Sequence, residues 1–133
     1  MNASAILAVA FGGAIGCVAR YLVSVWLTPV QNAGSFPHFP LATFAVNLAG
    51  AFIIGLLAYA AKAKALPETA WLLLVTGFLG GLTTFSTYCN ETFQLLRNNQ
   101  FGWAVLYCLA SLTLGLLGVW LGFILGRGVW GEV

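Results

Sequence analysis

Of the 133 residues, 61% are hydrophobic and only 6% are charged. A soluble domain carries about 25% charged residues, so this chain cannot cover a water-exposed surface, and its composition predicts an integral membrane protein. The formal net charge of +2 is too small to indicate nucleic-acid binding.

Hydropathy predicts an all-α protein with four transmembrane helices in a single domain covering residues 1–133. The predicted spans are about 3–27, 41–61, 68–96 and 101–126. The N-terminal stretch lacks the basic start of a secretory signal. The longest connection, Thr28 to Pro40, holds the only histidine, His38, which has no acidic or cysteine neighbours in the sequence. We therefore expect His38 to be a solvated loop residue.

Small residues recur every four positions along three of the spans: Ala8, Gly12 and Gly16; Asn47, Ala51 and Gly55; and Gly118, Gly122 and Gly126. Such stripes let helix backbones approach closely in lipid, so we expect them to pack the bundle. The three cysteines, Cys17, Cys89 and Cys108, all fall in apolar segments. We expect them to be small buried hydrophobic residues, not a disulfide framework or a metal site.

The third span is predicted to be a helix broken near the membrane midplane. Pro67-Glu68 is typical of a helix start, because proline suits the first helical position and an acid favours the positive end of the dipole. The Gly80-Gly81 pair then lies roughly 18 Å along the helix, near the middle of a hydrocarbon core about 30 Å thick. Each glycine weakens a helix by about 1 kcal/mol relative to alanine, and Thr83 or Thr84 can cap a second helix that runs to about Leu96.

The alternative is a straight helix in which the glycines allow close packing and the hydroxyls bond back to their own turn. The dense hydroxyls that directly follow the glycine pair favour the break. Non-helical backbone at this depth is tolerated only where it is buried in protein or lines an aqueous cavity, and broken helices of this kind bind ions in transporters.

The basic residues are almost evenly divided between the two ends of the bundle. With four spans both termini share one side, which carries Lys62, Lys64 and Arg127, whereas Arg97 and the more deeply placed Arg20 lie nearer the other. Because the Lys/Arg bias fixes orientation, this balance predicts that the chain inserts both ways up. Four helices from one chain are also few to enclose a permeation path. Together these features favour an antiparallel homodimer, an inverted repeat made from two chains.

Polar side chains inside the spans usually face an interior or a cavity. Arg20 can do so or can snorkel to the interface, and the Asn47 amide needs either an anion or another helix as its partner. The second half of the third span has one predicted polar face, formed by Thr83, Thr87, Asn90, Glu91 and Gln94. Phe85 and Tyr88 lie on a neighbouring face of the same helix, and the fourth span adds the hydroxyls of Tyr107 and Ser111. Amides, hydroxyls and positive ring edges with a single carboxylate suit a small hard anion better than a cation.

Other functional classes explain these residues less well. A membrane enzyme needs a nucleophile–base pair or a metal cluster, and Glu91 with a distant His38 predicts neither. A purely structural membrane protein accounts for the glycine stripes but not for a costly break at the midplane. A small-molecule exporter is the nearest rival, although an exporter of amphipathic cations would need a carboxylate near the middle of the first span, and the sequence has none there.

The stretch Gly80-Gly81-Leu82-Thr83-Thr84-Phe85-Ser86-Thr87-Tyr88 closely resembles the signature of the Fluc (CrcB) fluoride channels. Three further motifs agree in the same order: Gly12-Gly13-Ala14-Ile15-Gly16 followed by Arg20-Tyr21, then Leu41-Ala42-Thr43-Phe44-Ala45-Val46-Asn47-Leu48-Ala49-Gly50, then Phe101-Gly102-Trp103. The likeness covers essentially the whole chain, and the third-span motif is highly specific.

The resemblance implies a multi-pass channel of the bacterial inner membrane, surrounded by lipid, through which toxic cytoplasmic fluoride leaves passively. Such a protein confers fluoride resistance and is not an enzyme. The resemblance also implies a dual-topology homodimer with two antiparallel pores. A central structural Na⁺ would be held by the backbone carbonyls of Gly80 and Thr83, two ligands from each chain.

The same resemblance implies roles for the other polar residues. Asn47 matches the pore asparagine of the family, and Phe85 matches the first of its paired pore phenylalanines. The polar track would be formed by Ser86, Thr87, Tyr107 and Ser111. The vestibule would contain Arg20 and Glu91. Two positions depart from the family pattern: Tyr88 replaces the second pore phenylalanine, and Gly115 occupies the last position of the polar track.

Overall fold

The structure, a computed structural model, describes residues 2–33 and 38–132. The described residues form helices and short connections, without a strand. The elements are α1 (Ala3–Ala33), α2 (Leu41–Lys62), α3 (Glu68–Trp71), a π-helix π1 (Leu72–Leu79), α4 (Gly80–Leu82), α5 (Phe85–Arg97) and α6 (Phe101–Trp130).

Four helical segments are long and apolar enough to cross a membrane, which confirms the predicted all-helical fold with four spans. The third of these segments is Glu68–Arg97, built from α3, π1, α4 and α5. α1 continues past the predicted end at Leu27 to Ala33, with Pro29 inside the helix. α6 likewise continues past Gly126 to Trp130. Hydropathy detects the apolar part of a helix, so more polar ends that project toward the membrane surface escape it.

The backbone of the third span is extended at Thr83 (φ −82°, ψ 156°) and at Thr84 (φ −151°, ψ 118°). Thr84, one of the two predicted caps, is the N-cap of α5, and its hydroxyl accepts a hydrogen bond from the Thr87 amide. The prediction placed the weak point at Gly80-Gly81, but both glycines are helical and belong to α4. Gly81 is needed for packing instead, because a Cβ there would lie 2.5 Å from the Gly13 carbonyl oxygen of α1.

The spans pack as two close pairs, α1 against π1 and α4, and α2 against α6. The glycines of the predicted stripes are buried at these contacts, which confirms their packing role. A Cβ on Gly12 would overlap the Leu73 carbonyl of π1, and one on Gly122 would overlap the Phe52 carbonyl of α2. The two pairs meet through a buried cluster of Val46, Leu79 and Leu82.

Gly122→Ala is expected to destabilise the fold by about 1–3 kcal/mol, because the added methyl has no space beside the Phe52 carbonyl. Gly128→Ala is the matched control on the same helix, where a Cβ meets nothing within 4 Å. Because alanine favours a helix over glycine, the control should unfold at or slightly above the wild-type temperature. Thermal unfolding of the purified variants in detergent compares them, and equal midpoints would contradict the close α2–α6 contact.

Most of the apolar surface of one chain is not buried within that chain. In the most apolar window of each span, between 11 and 22% of the residues are buried. Cys17 and Cys89 are exposed and Cys108 is half-buried, so the prediction of buried cysteines is wrong for the first two. An apolar segment of a membrane protein does not specify burial, because a surface that faces lipid is as apolar as one that faces another helix.

Candidate functional site

Asn47 on α2 binds both main-chain groups of Thr84, in the extended part of the third span. Its side-chain Nδ2 donates to the Thr84 carbonyl oxygen at 3.2 Å, and its Oδ1 accepts from the Thr84 amide at 2.8 Å. The amide thereby satisfies backbone groups that have left the helical ladder, which would be costly to leave unpaired away from water. A side-chain amide has two N–H donors, so one donor of Asn47 remains for another partner.

The carbonyls of Gly80 and Thr83 both lose the donor that a continuous helix would supply. In such a helix the Thr84 amide would bond to Gly80 and the Thr87 amide would bond to Thr83. Here the Thr84 amide donates to Asn47, and the Thr87 amide donates to the Thr84 hydroxyl at 3.3 Å. Gly80 lies on the exposed surface of the chain and Thr83 is half-buried. These two carbonyl oxygens, three residues apart in the chain, therefore lack the donors of a continuous helix.

The Glu91 carboxylate is held between two other spans by two hydroxyl donors. Thr43 Oγ1 of α2 donates to Glu91 Oε1 at 2.7 Å, and Tyr107 OH of α6 donates to Glu91 Oε2 at 2.8 Å. Both donors are buried, with Tyr107 completely so. Thr43 was not among the predicted site residues. The sequence contained enough information to predict it, because Thr43 precedes Asn47 by four positions and so lies on the same face of α2.

A polar groove of about 910 Å³, called here the outer groove, runs from the α1–α2 connection to the extended segment of the third span. It brings together the two predicted vestibule residues, Arg20 and Glu91. Arg20 is half-buried, with its Nη2 3.9 Å from the Cys17 Sγ. His38 is exposed as expected, but it is not an isolated loop residue, because it lines the same groove. The other polar lining residues include Thr43, Thr84, Thr87 and Gln94.

A second cavity of about 610 Å³, called here the inner pocket, lies on the other side of the extended segment. Four of the predicted pathway residues line it: Asn47, Phe85, Tyr88 and Ser111. The rings of Phe85 and Tyr88 have centroids 5.9 Å apart and planes at 30°, and the Tyr88 and Tyr107 centroids are 5.0 Å apart. Thr84 lines both cavities, so it marks the place where they approach each other.

Three members of the predicted polar face of the third span come together in the structure, whereas Asn90 is exposed and lines neither cavity. Thr87, Glu91 and Gln94 line the outer groove, but the residue that joins them there is Thr84, whereas Thr83 lines the inner pocket. The three- and four-residue spacing that places side chains on one face of a helix does not apply across Thr83 and Thr84, because their extended backbone rotates α5 relative to α4.

Two further predicted positions have simple surroundings. Ser86 is exposed, and its Oγ lies 3.4 Å from the Thr84 hydroxyl. Gly115 has nothing within 4 Å of the place where a Cβ would be, so it leaves space on α6 and supplies no polar group.

Comparison with known proteins matches residues 7–123 to the family of the CrcB-like protein, Camphor Resistance (CrcB). A fluoride-specific ion channel FluC of Acidobacterium capsulatum is 45% identical over 122 residues, covering 91% of this chain and 94% of that protein. Proteins of the same name from Geobacter metallireducens and Geobacter sulfurreducens are 42% and 46% identical, each covering 92% of this chain and 96% of the relative. These relatives are ion channels and not enzymes. The chain, a multi-pass membrane protein, therefore belongs to the CrcB family of FluC channels.

Proposed function

We propose that this chain forms a fluoride-selective channel through which fluoride leaves the bacterial cytoplasm passively across the inner membrane. The observation that carries the proposal is the meeting of the outer groove and the inner pocket at Thr84, where Asn47 holds an extended segment in the middle of a span. The names of the relatives point to fluoride as the ion.

The lining of the two cavities favours a small anion. Arg20 places a positive charge in the outer groove, and the Glu91 charge is offset by two hydroxyl donors. The inner pocket has no carboxylate among its lining residues. It offers the second N–H of Asn47, the Ser111 hydroxyl and the positive ring edges of two aromatic residues. A pathway for cations would instead be lined by acidic side chains.

The functional unit is proposed to be an antiparallel, dual-topology homodimer surrounded by lipid. The inner pocket of one chain is open, and Phe85 on its wall is 77% exposed. A second copy would cover this wall and add its own polar groups. The nearly even distribution of basic residues supports a pair of chains inserted in opposite orientations.

We further propose that the extended segment lies near the membrane midplane and that a structural Na⁺ binds there, at the centre of the dimer. The Gly80 and Thr83 carbonyls of each chain would hold it. They fit the ion because unwound carbonyls and the C-terminal ends of interrupted helices are typical Na⁺ ligands, and here Asn47 and the Thr84 hydroxyl have taken the helical donors of both carbonyls. A resident cation would supply a fixed positive charge and link the two chains, so fluoride would be driven by its own gradient alone.

Liposomes loaded with fluoride or with chloride test the proposal. We expect rapid fluoride efflux and much slower chloride efflux, with no requirement for a proton gradient and no sustained sodium countertransport. Sodium moving in proportion to fluoride would refute the structural role of the cation. Equal release of chloride would refute fluoride selectivity, and efflux only under a proton gradient would indicate a coupled exporter.

A further inference from the structure

His38 lines the outer groove from the residues that directly precede α2. It belongs to the connection between α1, which ends at Ala33, and α2, which begins at Leu41. It is exposed, and it lines the same cavity that reaches Thr84 in the middle of the third span. An ion that enters the groove from this side therefore passes His38 before it reaches the extended segment.

The other charged groups of the outer groove nearly cancel. α1 contributes the cation Arg20, with Cys17 and Tyr21 as further titratable groups, and α5 contributes the anion Glu91. The lining residues from α2 and from the α5–α6 turn carry no titratable side chain. Arg20 and Glu91 have opposite formal charges, so a positive charge on His38 would not be offset by another lining residue.

We propose that His38 recruits anions to the mouth of the outer groove and that its protonation speeds their arrival at the channel. This inference rests on the proposed function. A cleft with low-dielectric walls focuses the field of its charges, so one added positive charge raises the local anion concentration and the association rate. Histidine is the side chain that ordinarily changes charge between about pH 5 and 8, so pH is the variable that tests this role. Acidic conditions would therefore increase the fluoride current without a conformational change of the protein.

The test is fluoride current in a planar bilayer at about pH 5.5 and about pH 7.5, at low ionic strength. Fluoride is kept low enough that the current rises in proportion to its concentration, so that arrival at the channel limits the rate. Uncharged HF crosses lipid but carries no current, which removes the main artefact of acidic fluoride solutions. We expect the wild-type current to be roughly threefold larger at the lower pH, less than the tenfold or more of strong electrostatic steering, because only one charge is added.

Two variants of this exposed loop residue isolate the charge. His38→Gln should give the lower current at both pH values, and His38→Lys should give the higher current at both. In about 1 M inert salt, where the Debye length is about 3 Å, the wild-type difference should vanish. A pH-independent wild-type fluoride current, or an unchanged pH ratio in His38→Gln, would overturn the role of His38. Absence of fluoride current in every variant would instead overturn the proposed function.

Discussion

Asn47→Asp is expected to abolish fluoride current while the protein still forms a dimer. The carboxylate keeps an acceptor for the Thr84 amide but loses both N–H donors, including the one that binds the Thr84 carbonyl. It also places a negative charge beside the path of an anion. Two like charges about 4 Å apart at an effective dielectric constant of about 20 repel by about 4 kcal/mol, which is roughly a thousandfold in occupancy.

The control is Asn32→Asp, which makes the same chemical change on an exposed residue near the end of α1. It should leave the current close to wild type. Size-exclusion chromatography of both variants reports whether the dimer persists. A near wild-type current in dimeric Asn47→Asp would remove Asn47 from the fluoride path. Loss of the dimer would show that the amide serves chiefly to hold the extended segment at Thr84.

Adding three lysines after Trp130 is expected to remove almost all fluoride efflux from cells that express only this variant. The helix ends there, on the side that already carries Lys62, Lys64 and Arg127. The balance between the two sides is three basic residues against Arg97 and Arg20, so a few added lysines are enough to change it. Added lysines should fix one orientation, because the Lys/Arg bias sets topology. Chains of one orientation cannot build an antiparallel interface.

Co-expression provides the matched control for this experiment. A second copy with three lysines in the Ala33–Pro40 connection should insert the opposite way, and the two copies together should restore efflux. Tag accessibility on each side of the membrane verifies the orientations. Full efflux from a uniformly oriented single variant would rule out the dual-topology dimer for this protein.

The sequence was sufficient to predict features that depend on local chemistry. Four apolar stretches predicted the four spans, since spanning a membrane demands length and apolarity only. The glycine stripes predicted the helix contacts, and Thr84 was a predicted cap because capping depends on one side chain and the next turn.

Features that depend on contacts between distant residues were missed. The extended backbone lies at Thr83 and Thr84, not at the glycines, because the Asn47 amide on another span stabilises it there. The π-helix Leu72–Leu79 has no distinctive local sequence, and it accompanies the close approach of α1. Thr43 and His38 acquire significance only through the cavity they share with Glu91, which the linear sequence does not display.

The most direct test of the account is the reversal potential of the wild-type current in a planar bilayer with unequal fluoride on the two sides. Chloride is given a gradient opposite to that of fluoride and sodium a gradient in the same direction as fluoride, so that the equilibrium potentials of chloride and sodium both have the opposite sign to that of fluoride. A passive fluoride-selective channel reverses at the fluoride equilibrium potential, and we expect no shift when the sodium gradient is inverted. Reversal that follows chloride or sodium, or no fluoride-dependent current at all, would contradict a passive fluoride-selective channel.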